Sequence, residues 1–138
     1  MFMKRFLYLV YLLSFSIIVL SGSCKKSGGG GTNEPALNVE MNPSSGSNQA
    51  PAPGPDFPLT ITIKSTLPPS GVKIDVSAKE DVASSTPFFN QSLNSTTAIN
   101  NINITGSPRN VTIRVSVTVT SLSSSSNKFT GSYTYSRK

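Results

Sequence analysis

From Val111 to Thr120 apolar and polar residues alternate without a break. Val111, Ile113, Val115, Val117 and Val119 are set against Thr112, Arg114, Ser116, Thr118 and Thr120. A strand sends successive side chains to opposite faces, so this run buries one face and wets the other. Its β-branched residues suit a pleated, half-buried surface. Such a strand cannot cover its own apolar face and needs a second layer. The same period recurs in Leu59, Ile61 and Ile63, set among Thr60, Thr62 and Lys64. It recurs again in Val72, Ile74, Val76 and Ala78, set among Lys73, Asp75, Ser77 and Lys79. Leu37, Val39 and Met41 form a short first set, and Phe129, Tyr133 and Tyr135 a last one. Phe89 with Leu93, and Ile102 with Ile104, are weaker sets. Ile99 is out of phase with the latter pair, which puts a strand start or a bulge near it. No segment after Asn33 has helical periodicity.

Turn-forming clusters separate these runs: Asn42 to Gly46, Pro51 to Pro58, Pro68 to Gly71, Ser84 to Pro87, Gly106 to Pro108 and Ser123 to Asn127. Seven short strands at this spacing predict an all-β fold over residues 34–138, a two-sheet antiparallel sandwich. Over Pro35–Lys138 the pattern resembles the seven-stranded immunoglobulin-like and fibronectin type III-like modules of bacterial envelope proteins. Trp is absent and the lone cysteine has no pairing partner, so the antibody hallmarks are missing. Val111–Lys138 resembles the last hairpin of such a module, with Ser123–Asn127 as its turn, and the domain is expected to be complete.

The first 33 residues follow different rules. Met1–Arg5 is short and basic, with Met3 an alternative start, and Phe6–Leu20 is apolar apart from Ser14 and Ser16. At about fifteen residues the apolar run matches a secretory h-region. A spanning helix needs about twenty. Leu20-Ser21-Gly22-Ser23-Cys24 follows directly. Small residues there suit a signal peptidase, which predicts a cleaved leader over 1–23. Cys24 is the only cysteine, so no intramolecular disulfide forms. The stretch resembles a bacterial lipobox. The relaxed residue Ser21 and the following Lys25-Lys26 are similar to those of Bacteroidetes lipoproteins. That resemblance implies a thioether-linked diacylglyceryl group and an acylated amine at Cys24. Each buried methylene contributes about 0.8 kcal/mol, and stable anchoring takes two or more such signals. A free thiol or an intermolecular disulfide is the alternative state of Cys24.

Residues 24–33 then read as a glycine-rich tether of flexible coil, about 15–18 Å in root-mean-square span. It holds the domain close to the membrane. Lys25 and Lys26 either meet anionic headgroups or stay solvated. Surface-exported Bacteroidetes lipoproteins tend to carry acidic residues just after the cysteine. The basic pair here favours the periplasmic face of the outer membrane, with surface exposure as the alternative.

The net charge of +6 overstates the basic character of the folded part. Four of the twelve cations are Lys4, Arg5, Lys25 and Lys26, which leaves eight against six acids further on. A residual charge of about +2 lacks the clustered basic stripe of a nucleic-acid footprint, so no nucleic-acid partner is expected. The remaining cations, such as Lys64, Lys73, Arg114 and Lys128, read as solubilising charges that also keep strand edges from pairing.

Catalytic chemistry has few materials. Histidine is absent, which removes the usual general base near neutral pH and the commonest metal ligand. With Cys24 acylated, no thiol remains. Among the acids only Glu80 and Asp81 are adjacent, and strand neighbours point to opposite faces. They read as a solvated hairpin end rather than a calcium site. No catalytic residue, metal or cofactor is therefore assigned, and the chain is expected not to be an enzyme. Asn-X-Ser/Thr triplets begin at Asn90, Asn94, Asn103 and Asn110. They reflect the Ser/Thr/Asn-rich composition rather than glycan attachment.

Sugar binding asks for an exposed aromatic platform. The candidates are Phe88, Phe89, Tyr133 and Tyr135. Adjacent Phe88 and Phe89 cannot both face the core of a regular strand. One of them is therefore expected to be exposed, as a ligand contact, or to lie under a loop. The turn Asn42-Pro43-Ser44-Ser45-Gly46 resembles a loop of the chagasin family of cysteine-protease inhibitors, but Gln49-Ala50-Pro51 follows where aromatic residues are expected. The leading expectation is a non-catalytic, lipid-anchored envelope module that meets a protein partner through loops or sheet edges. A weak glycan binder using Phe88 or Phe89 is the alternative, and a protease inhibitor a remote one.

Overall fold

The computed structural model describes residues 34–138. The expected leader over 1–23, and Cys24 with the expected tether over 24–33, lie outside the described residues. Within them the expected two-sheet antiparallel sandwich is present, built from β1 (Val39–Asn42), β2 (Phe57–Ile63), β3 (Val72–Glu80), β4 (Phe89–Ser95), β5 (Ile99–Ile104), β6 (Thr112–Ser121) and β7 (Lys128–Ser136). One sheet has the order β1-β2-β5 and the other β4-β3-β6-β7. The fourth strand thus pairs with the third, whereas constant-type immunoglobulin domains place it in the opposite layer.

Period-two alternation becomes burial. Val39, Met41, Leu59, Ile61, Ile63, Ile102 and Ile104 face inward from the three-stranded sheet. Val72, Ile74, Val76, Ala78, Ile113, Val115, Val117, Val119, Tyr133 and Tyr135 meet them from the other, in one continuous core. Each fully buried Ile, Leu or Val contributes about 1.5–3 kcal/mol. Leu37 and Val111 lie just outside their strands and pack on the margin of this core. Gly131 explains the missing member between Phe129 and Tyr133. It stands opposite buried Val117, and a Cβ there would lie 2.7 Å from the Met41 sulfur. Met41 of the facing sheet occupies that space.

Several expected boundaries move. β2 begins at Phe57, so Phe57 and Pro58 belong to a central strand rather than to the preceding turn. The Ile63 N–H bonds the Ala98 carbonyl and the Lys64 N–H the Asn38 carbonyl, so even-numbered residues of β2 face β1. β1 ends opposite Thr60, and the missing N–H of Pro58 therefore costs no ladder bond. Ile99 starts β5 and is 60% exposed, and the ladder from Phe57–Ile104 to Thr62–Ile99 is unbroken. Asn100 takes the first buried position, its amide donating to the Thr97 carbonyl at 3.0 Å.

A bulge lies instead at Phe88–Phe89. Phe89 stands opposite Ala78, and the Phe88 N–H also donates to the Ala78 carbonyl at 3.0 Å. Two residues thus oppose one, as a β-bulge requires.

After β1 the chain crosses to the four-stranded sheet and runs parallel along β7. Gly46, Gln49 and Ala52 N–H groups donate to the carbonyls of Ser132, Thr134 and Ser136 at 2.7, 2.8 and 3.1 Å, and Thr134 N–H returns a bond to Ser47. This crossing segment covers the outer edge of β7.

Candidate functional site

The residues singled out from the sequence fall apart in space. Cys24 lies outside the described residues. Phe88 and Phe89 are both half-buried and both pack against the core. The bulge lets two neighbours turn the same way, so neither ring is forced outward as a platform. Tyr133 and Tyr135 are each 2% exposed.

Most of the acids are tied to cations or hydroxyls. Asp81 accepts two bonds from the Arg114 guanidinium, at 2.6 and 2.9 Å. That pairing holds its carboxyl below the usual carboxylate range and raises the Arg114 guanidinium. Ser92 donates to Asp75 at 2.6 Å and, with Lys73 at 3.0 Å, lowers the Asp75 carboxyl. Glu40 pairs with Lys64 at 2.8 Å, and Glu34 accepts from Ser121 and Asn127. Among the described residues no three His, Cys, Asp or Glu side chains gather into a metal-holding group.

Two features do have the shape of recognition surfaces. The first is a cleft of about 350 Å³ where the crossing segment leaves β1 and passes β2 and β7. Its walls include Phe57, Tyr133 and Tyr135, and its polar groups are Asn42, Gln49 and Thr60. That volume lies at the small end of ligand pockets, which combine apolar walls with a few polar groups. The Tyr135 ring stacks at 4.2 Å on Phe57, and its hydroxyl lies 2.6 Å from Ser107 Oγ. The Tyr133 hydroxyl is buried with no partner among the described residues. Burial pushes both phenols above their ordinary value; Ser107 offsets part of the shift at Tyr135. The half-buried Phe57 ring, backed by the two buried tyrosines and set beside neutral amides and a hydroxyl, suits a small uncharged polar ligand. The sequence hid this cleft because its polar groups are scattered: Asn42 opens a turn cluster, Gln49 lies between two of them, and Thr60 is on a strand.

The second is the opposite side of the sandwich, where β4 and β5 end the two sheets. From Val82 to Pro108 the sequence has no Asp, Glu, Lys or Arg. Of the cations expected to protect edges, Lys128 opens the edge strand β7 on the other side, Lys64 follows β2, and Lys73 and Arg114 sit on the inner strands β3 and β6. Free edges offer a row of backbone donors and acceptors to an added strand.

No protein-family model matches this chain, and a search of curated proteins finds no match to it.

Proposed function

We propose that this chain is a non-catalytic, lipid-anchored protein of a bacterial cell envelope whose sandwich serves as an interaction module. The observation that carries this reading is the order of parts. The only cysteine follows an apolar leader and small residues, a glycine-rich tether comes next, and a domain of one-sided strands follows. The lipid chains of Cys24 hold the module at a membrane, and the basic Lys25-Lys26 pair favours the periplasmic side of the outer membrane. The partner is an envelope protein, met through free strand edges by main-chain pairing. The test is metabolic labelling with an alkyne palmitate analogue. The wild-type chain is expected to take the label and to sediment with membranes, and Cys24→Ala to lose both. Label retained by Cys24→Ala contradicts the anchor.

The cleft beside Phe57 supports a second reading, binding of a small neutral glycan there rather than at Phe88 or Phe89. On a glycan array, binding lost with both Phe57→Ala and Gln49→Ala supports it. Binding unchanged by both removes the cleft from consideration.

A further inference from the structure

The two lateral sides of the sandwich are finished differently. On one side β1 has only four residues, carries Glu40 paired with Lys64, and lies beside a β7 edge already covered by the crossing segment. On the other side no strand among the described residues pairs with the outer edge of β4 or β5. β4 is the longer, with seven residues, Phe89–Ser95.

The register shows which backbone groups of β4 are free. The Leu122 N–H donates to the Gly71 carbonyl, so odd-numbered residues of β3 face β6 and even-numbered ones face β4. Val72, Ile74, Val76 and Ala78 stand opposite Ser95, Leu93, Gln91 and Phe89. The N–H and C=O groups of Asn90, Ser92 and Asn94 therefore point away from the sheet, and all three residues are exposed.

Strand edges of monomers are ordinarily blunted by charge, proline or a bulge. β4 has no proline and no charge, and its bulge lies only at its start. Absence of charge has a particular consequence for pairing between identical strands. In an antiparallel pair about a two-fold axis the central residue meets its own copy and every other residue meets its mirror position, so a charge at or next to the centre approaches a like charge. Asn and Ser side chains both donate and accept, so they meet their own copies without conflict. The β4 edge is self-complementary in charge and hydrogen bonding.

We propose that β4 forms a symmetric dimer contact with β4 of a second copy of this chain. Phe89–Ser95 pairs antiparallel to its copy, Ser92 opposite Ser92 and Asn90 opposite Asn94, and the two four-stranded sheets become one. The proposal deepens the reading of the domain as an interaction module by naming the partner, and it rests on that reading.

Oxidative cross-linking of the full-length chain in membranes tests it. The single variant Ser92→Cys places two thiols on the axis, with Cα atoms about 5.5 Å apart in a hydrogen-bonded pair and within disulfide reach. In Asn90→Cys the two thiols are offset by about 13 Å along the strands and cannot join. Ser92→Cys is expected to give a covalent dimer of twice the chain mass, in about tenfold higher yield than Asn90→Cys, Glu40→Cys or the wild type with Cys24 alone. Mixing Asn90→Cys with Asn94→Cys is expected to restore the dimer. Equal yields from all variants, or no dimer from Ser92→Cys, overturn the proposal. Ser92→Cys joined to a different protein overturns the self-pairing while leaving the interaction module standing.

Discussion

The hydroxyls of Tyr135 and Ser107 lie 2.6 Å apart in the protein interior, while Tyr133, two positions earlier on the same face of β7, buries a hydroxyl with no partner among the described residues. The two tyrosines are nearly equal in burial but opposite in hydrogen bonding. Removing one partner of a buried pair leaves the other unsatisfied, at about 1–3 kcal/mol, whereas removing an unsatisfied hydroxyl recovers a cost. Tyr135→Phe is expected to lower unfolding stability by about 1–2 kcal/mol, and Tyr133→Phe to leave it unchanged or raise it by about 1 kcal/mol. Denaturant titration of both variants checks this, and equal losses contradict it.

The same phenols set the alkaline limit of the domain. Burial raises both above the ordinary value of 10.0. Between that value and the folded one the unfolded chain has lost protons that the native state keeps. Their contribution to stability is therefore fully present below about pH 10 and falls as pH rises beyond it. Tyr133→Phe is expected to flatten this fall in thermal unfolding measured from pH 8 to 11. A fall of unchanged steepness in that variant contradicts the assignment.

Asp75 and Asp81 act at the other end. Both are held below 3.8, Asp75 first by the Ser92 hydroxyl and Asp81 first by Arg114. Their contribution is present above the ordinary carboxylate range and is lost as pH falls through their lowered values. Ser92→Ala is expected to move the acid unfolding midpoint upward. A midpoint unchanged in Ser92→Ala contradicts the role of the Ser92–Asp75 bond.

Gly71 turns the chain into β3 with a φ of +83°, and its carbonyl accepts from Leu122 N–H at 3.0 Å. A Cβ there would lie 2.5 Å from the Ser95 carbonyl oxygen, a backbone atom that cannot swing aside. Gly71→Ala adds that clash to about 1–2 kcal/mol of left-handed strain. Its stability is expected to fall by about 2–4 kcal/mol, within the range of strained backbone positions. A loss below about 0.5 kcal/mol, typical of an ordinary surface substitution, contradicts the geometry.

The crossing segment supplies another test. Gln49 N–H donates to Thr134 at 2.8 Å and Thr134 N–H to Ser47 at 3.0 Å. Gln49→Pro removes the first bond. It is expected to speed hydrogen exchange at Thr134 at least tenfold, the counterpart of about 1.4 kcal/mol of local opening. Unchanged protection at Thr134 contradicts the pairing.

How far these features are legible in the sequence depends on what their burial asks of side chains. The inward sets of β2, β3 and β6 are readable because one-sided burial imposes a period of two, and their Val and Ile residues are all buried. Gly131 interrupts the same period in β7, since its place is filled by Met41 from a strand far away in sequence. The crossing segment pairs through backbone alone, so its Ser, Asn and Pro residues look like turn. The bulge at Phe88–Phe89 likewise depends on the Ala78 carbonyl, and regular alternation misplaces one ring. Which strands are edges follows from sheet order, which no local pattern states. The uncharged stretch Val82–Pro108 gains its meaning only once β4 and β5 are known to be outermost.

The account as a whole depends on a chain that is cut before its sole cysteine and held by lipid there. Intact mass spectrometry of the protein purified from membranes, followed by N-terminal fragmentation, measures this directly. The expected species begins at Cys24 and carries a diacylglyceryl group with a further acyl chain on its amine. A mature chain that still contains residues 1–23, or an unmodified Cys24, contradicts it.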